Sequence, residues 1–90
     1  MHRFLIEKKL ERTLIKVGKK DNILYSQVKN KIDEVIKNPD IEHYKNLKHN
    51  LKDYKRVHIG SFVLLFRYDK NNDFVYFIDF DHHDKIYRTS

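Results

Sequence analysis

The hydrophobic period of this 90-residue chain changes once, near residue 53, from helical spacing to strict alternation, and that change limits the fold to helices followed by strands. Before it, Leu10, Leu14, Ile15 and Val17 form an apolar stripe, which predicts a helix from Glu7 to about Gly18. A second stripe, Leu24, Val28, Ile32, Val35 and Ile36, predicts a helix capped by Asp21 or Asn22 and stopped at Asn38-Pro39. A Gly-Lys-Lys turn at 18–20 would fold the two into an antiparallel pair. Ahead of them, His2 to Ile6 reads as a short strand. Past residue 53, Val57 and Ile59 alternate with Tyr54, Arg56 and His58, and Gly60-Ser61 makes a turn. Phe62, Leu64, Phe66 and Tyr68 then alternate with Val63, Leu65 and Arg67. After the polar turn Lys70 to Asp73, Phe74 to Phe80 is apolar on both faces, as in a central strand. The expected fold class is α+β, a short N-terminal strand and a two-helix hairpin packed on one face of a mostly antiparallel sheet of about four strands.

Only Pro39, Gly18 and Gly60 punctuate the sequence, so residues 1–90 read as one domain with no linker and no repeat. The absence of cysteine removes disulfide scaffolds, Cys-ligated zinc, iron–sulfur clusters and thiol nucleophiles together. A chain of this length without staples depends on efficient burial or on a partner. Its longest apolar runs, at Phe62–Phe66 and Phe74–Ile78, fall far short of the ~20 residues that cross a bilayer. With no export signal at Met1 to Glu7, the expectation is a soluble, cytoplasmic protein that does not engage a membrane.

Nineteen Lys and Arg against thirteen Asp and Glu leave a net charge of +6. Four of those six charges come from residues 45–58, where Lys45, Lys48, Lys52, Lys55 and Arg56 face Asp53 alone, a distribution that suits contact with nucleic acid. The other basic stretch, Lys8 to Lys20, is diluted by Glu7 and Glu11 and spaced as a solvated helix face, with phosphate or membrane-surface contact as the other reading. Within the predicted strand, Arg56 and His58 share the face opposite Val57 and Ile59. A guanidinium grips phosphate through paired hydrogen bonds, and an imidazole moves protons near neutrality. A solvated outer face would carry the same pair, so the pattern leaves both readings open. Tyr54 would stack on a base or cover the sheet edge.

Asp79 to Arg88 is the densest polar cluster. Adjacent His82 and His83 point opposite ways in an extended chain, which disfavours joint chelation, although Asp79, Asp81 and Asp84 flank them. Acid–base work by one histidine beside Tyr87 and Arg88 is the stronger chemical reading, and a surface pair without chemistry is the other.

Leu47-Lys48, two residues, then Leu51-Lys52-Asp53-Tyr54-Lys55-Arg56-Val57-His58-Ile59-Gly60-Ser61-Phe62, followed by His82-His83-Asp84-Lys85-Ile86-Tyr87-Arg88, resembles the RelE/ParE superfamily of toxins. That family reads Leu-Lys, a spacer, Tyr-x-Arg-x-Arg-x-Gly-x-Tyr-Arg and, near its end, His-Arg-x-x-x-Tyr. Element order and length are similar too. Arg56 and His58 stand at the two basic strand positions, Val63 where the family has the Arg of Tyr-Arg, His83 in place of the Arg of His-Arg, and Tyr87 at the terminal Tyr. The segment His83 to Tyr87 also looks like the His-Ser-Asp-Leu-Phe ending of the YafQ branch.

The resemblance implies a RelE-like fold and the toxin of a type II toxin–antitoxin system. It further implies a metal-independent endoribonuclease, without cofactor, that cuts mRNA in the ribosomal A site and is held in a hetero-oligomer by a RelB-like antitoxin. On that expectation Arg56 holds the phosphate, His58 and His83 transfer protons, and Tyr87 positions the substrate. Lys48, Lys52, Lys55 and Arg88 bind backbone phosphates, and no residue is assigned to a metal. Two alternatives follow from the missing arginine at Val63: a non-catalytic toxin of the ParE type that inhibits DNA gyrase, or an inactive relative. The sequence leaves open whether a cation from elsewhere, such as Arg67 or Lys55, stands in for that arginine.

Overall fold

The structure, a computed structural model, describes residues 1–47 and 52–88, and of Arg88 the backbone alone. The elements run β1 (Arg3–Ile6), α1 (Lys8–Lys20), α2 (Asn22–Lys37), a single 3₁₀ turn (Ile41–His43), β2 (Lys55–Ile59), β3 (Phe62–Asp69), β4 (Phe74–His82) and α3 (His83–Arg88). The four strands form one sheet in the order β1-β4-β3-β2, with β1 parallel to β4 and the other pairs antiparallel. The α+β class and the mostly antiparallel sheet are therefore as expected.

The helical hairpin is tighter than the sequence suggests. α1 runs past Gly18 to Lys20, and Asp21 alone joins the helices. Its backbone N–H donates to the Val17 carbonyl at 2.8 Å, ending α1, while its carboxylate accepts from the Leu24 N–H at 3.0 Å, starting α2. Gly18 is not a stop signal. A Cβ there would lie 3.4 Å from the Tyr25 ring, so the glycine admits close approach of α2. Ile15, read as part of the α1 stripe, is 54% exposed, because it lies about 140° around the helix from Leu10.

Leu10 and Leu14 of α1, with Val28, Ile32, Val35 and Ile36 of α2, bury against Ile59, Leu64, Phe66, Val75, Phe77 and Phe80 of the sheet. Phe77 and Phe80 share this face although three residues apart. The β3–β4 register steps from Leu65↔Asp79 to Phe66↔Phe77, so β4 carries one extra residue, Ile78, which the bulge turns to the other face. β1 is tied in by His2, whose backbone N–H donates to the Ile36 carbonyl while its ring bridges the Asn38 carbonyl and Asp73.

The second face of the sheet is covered too, by a helix the sequence did not announce. Ile86 of α3 packs with Leu47, Val63 and Leu65, and Tyr54, Ile78 and Tyr87 close over them. Six residues with one deeply buried side chain are too few to display a helical period.

Candidate functional site

β2 presents its side chains alternately. Val57 and Ile59 enter the main core, and Arg56 and His58 stand on the opposite face, as their spacing predicts. Opposite them in β3 are Leu65 and Val63, which pair with Arg56 and His58 respectively. Val63 and Leu65 form the seat of α3, and Val63 is 0% exposed. An apolar residue at 63 is thus what lets the short helix sit down. Its first residue is fixed by a backbone hydrogen bond, His83 N–H to the Ser61 carbonyl at 2.9 Å, which ties α3 to the β2–β3 turn.

Seated there, α3 brings His83 and Tyr87 beside the strand pair. The His58 and His83 rings lie 5.7 Å apart, centre to centre, with 29° between their planes. The Tyr87 ring meets His83 edge-on at 4.4 Å, and the Arg56 guanidinium lies 5.5 Å from the centre of the Tyr87 ring. Arg56 also donates to the Asn46 carbonyl at 3.3 Å. The four residues singled out for chemistry in the sequence therefore form one continuous patch. Burial pushes the His58 pKa down, and the positive charge of Arg56 and then His83 push it the same way, so the neutral imidazole is favoured. One neutral imidazole, a second beside it, a guanidinium and a phenol within a single patch can carry proton transfer at a phosphodiester.

The remaining candidates divide. Lys52 is exposed in the turn before β2, and Arg88 closes α3 directly after Tyr87. Lys48 lies outside the described residues. Lys55 is misplaced by the sequence reading: it lies on the core side of β2 and is 9% exposed. Its ammonium donates to the Glu42 carbonyl (3.1 Å), the Tyr44 carbonyl (3.0 Å) and Asn46 Oδ1 (2.9 Å), so it clamps the 42–46 segment and has no free donor for phosphate. Burial lowers its pKa, opposed by the charge of Glu42.

Neither Lys55 nor Arg67 stands in at the patch for an arginine at 63. Besides the buried Lys55, Arg67 lies four strand residues away, about 13 Å, stacked 4.3 Å over the Tyr76 ring. Tyr54 covers the second cluster. His82 turns to Phe62, ring centres 4.5 Å apart, while His83 opens α3, so the two histidines do separate. Asp79 is held by Lys9 at 3.1 Å. Among the described residues no three His, Asp or Glu side chains are grouped to hold a metal.

Asn46 is the residue the sequence reading missed. Its side chain donates to the Lys52 carbonyl at 2.6 Å and accepts from Lys55, while its carbonyl receives Arg56, so it links the turn, the clamp and the patch. An asparagine in a basic loop gives no sign of three such contacts.

The comparisons with known proteins agree with this architecture. The chain matches the family model described as ParE toxin of type II toxin–antitoxin system, parDE, over residues 5–87. It is 47% identical over 89 residues to the RelE4 protein of Methanocaldococcus jannaschii, covering 98% of this chain and 93% of that protein. Among solved structures, the toxin–antitoxin complex RelBE2 from Mycobacterium tuberculosis aligns with a TM-score of 0.72 at 22% identity, covering 91% of this chain and 98% of that one. YafQ from E. coli BL21(DE3) aligns with a TM-score of 0.72 at 14% identity, covering 97% and 99%. At these identities the two structures speak for the fold.

Proposed function

Because the chain belongs to the RelE/ParE superfamily, as the toxin of a type II toxin–antitoxin system, we propose that it is a metal-independent endoribonuclease that arrests translation by cutting mRNA on the ribosome. The observation that carries this reading is the meeting of His58, His83, Tyr87 and Arg56 in one patch assembled from β2 and α3.

The 2′-hydroxyl of the RNA gives its proton to His58, which its surroundings keep neutral. The O2′–P bond forms, the P–O5′ bond breaks, and His83 donates a proton to the departing O5′. The products are a 2′,3′-cyclic phosphate and a free 5′-hydroxyl. Arg56 stabilises the charge that builds on the non-bridging oxygens, and Tyr87, wedged between Arg56 and His83, holds the substrate in line. Lys48, Lys52 and Arg88 supply the contacts to the backbone phosphates.

The same basic face suits an acidic antitoxin, and the toxin of similar fold in RelBE2 was solved in a toxin–antitoxin complex. In a cytoplasmic host, that partner would keep the protein silent. Replacing His83 by Ala removes the proposed acid while leaving Ile86 to seat α3. RNA cleavage and growth arrest then fall about 10²–10⁴-fold, and undiminished toxicity would overturn the assignment.

Two observations favour a second reading, gyrase inhibition without catalysis: the family arginine is replaced by the buried Val63, and the matching family model is that of ParE. DNA damage after induced expression, with mRNA left intact, would select it.

A further inference from the structure

β2 is an edge strand, and beyond its edge lies a groove of about 370 Å³ bounded by Gln27, Asn30, Lys31 and Glu34 of α2 and by His58, Ile59 and Gly60. The four α2 residues fall at i, i+3, i+4 and i+7, so they form one polar stripe alongside the apolar stripe that enters the core. The Lys31 ammonium lies 3.1 Å from the Glu34 carboxylate, which neutralises the groove's lysine. Among the described residues, nothing holds the exposed side-chain amides of Gln27 and Asn30. The strand side offers backbone groups as well. The Arg56 N–H points away from β3 to the Lys45 carbonyl, and the antiparallel ladder alternates, so the His58 N–H and C=O also face off the edge.

From these features, and resting on the ribonuclease reading above, we infer that the groove is a base-binding subsite for the nucleotide whose 2′-hydroxyl attacks. Four properties select a nucleobase over other ligands. A side-chain amide sets one donor beside one acceptor, the pairing that the edges of an unpaired base present. Phosphate offers acceptors alone and would meet the amide oxygens and the Glu34 carboxylate, so the neutralised groove suits an uncharged polar group. The groove is also continuous with the catalytic patch through His58, whose ring neighbours His83 and which lines the groove as well. A nucleotide with its 2′-hydroxyl at His58 needs only to turn its base across the strand edge to enter. Its size lies within the range of small-molecule sites, ~300–1,000 Å³.

The test titrates the ¹⁵N-labelled full chain with each of the four nucleoside 3′-monophosphates and, separately, with inorganic phosphate. The subsite predicts that the side-chain amide signals of Gln27 and Asn30 move with nucleotide and stay still with phosphate, which shifts only the patch around Arg56, His58 and His83. In the Gln27→Ala/Asn30→Ala variant, nucleotide affinity falls about tenfold or more. The base preference on the 5′ side of each RNA cut flattens in the same variant. Equal shifts with phosphate alone, or equal nucleotide affinity in the variant, would overturn the subsite. Base binding in a protein that cuts no RNA would leave the subsite standing and remove the ribonuclease reading, whereas cleavage without base binding would do the reverse.

Discussion

His58 is the residue whose environment most directly sets how the patch would respond to pH. Burial, Arg56 and His83 all hold its pKa below the ordinary 6.5, in that order of size. A lowered imidazole pKa means that the unfolded chain takes up the proton first as pH falls. The stability this group contributes is complete above 6.5 and is lost as pH drops toward the folded value. The same shift keeps a general base available at mildly acidic pH. Arg56→Ala removes one of the three causes, so the His58 titration followed by NMR should move up toward 6.5, and the acid limb of RNA cleavage should move up with it. An unmoved titration would show that the guanidinium does not act on the imidazole. Lys55 makes the complementary case. Lys55→Ala leaves acceptors at Glu42, Tyr44 and Asn46 without their donor, and chemical denaturation should register a loss of about 1–3 kcal/mol. A variant as stable as the parent would contradict the clamp. Lys55 sat in the most basic stretch of the sequence and read there as a phosphate ligand. Which side of the strand the 42–46 segment crosses is a tertiary fact with no local pattern.

At the scale of elements, α3 decides whether the patch exists. Its hold on the sheet is Ile86 against Val63 and Leu65, together with the His83–Ser61 backbone bond. Ile86→Ala should therefore detach His83 and Tyr87 from His58 and Arg56. RNA cleavage should fall as far as it does on removing His83, while the main core, a separate cluster on the other face of the sheet, keeps its fold by circular dichroism. Cleavage at the parent rate would mean that α3 is held by something else. The elements legible in the sequence were those whose apolar faces are long: the α2 stripe, the β2–β3 hairpin with its Gly60 turn, and the central β4. Those that escaped lack a period to read. The helix α3 has six residues, the bulge at Ile78 is one residue in a run that is apolar throughout, and Gly18 ends a helix by statistics but admits the Tyr25 ring in fact. The site fared better than these elements because Arg56 and His58 are joined by strand alternation alone. That His83 lies beside His58 depends on α3, and no spacing between residues 58 and 83 encodes it.

For the molecule as a whole, the two faces of the sheet divide the work. One face bears α1 and α2 and most of the buried apolar surface, and the other bears the small second cluster on which the patch is built. Arg56 stands on this second face, where Leu47 and Tyr54 from the flanks of the basic segment also pack, whereas Lys55 is buried on the other side. An acidic antitoxin that binds only the folded toxin must stabilise it. Its addition should raise the melting temperature in proportion to affinity, and equal melting with and without it would argue against that partner.

The ends of the cut RNA report the chemistry of cleavage directly. Purified toxin added to a translating extract should leave mRNA fragments with 5′-hydroxyl and 2′,3′-cyclic phosphate ends, and the His58→Ala/His83→Ala variant should leave none. Intact mRNA with the parent protein, or the same ends from the variant, would contradict the ribonuclease reading.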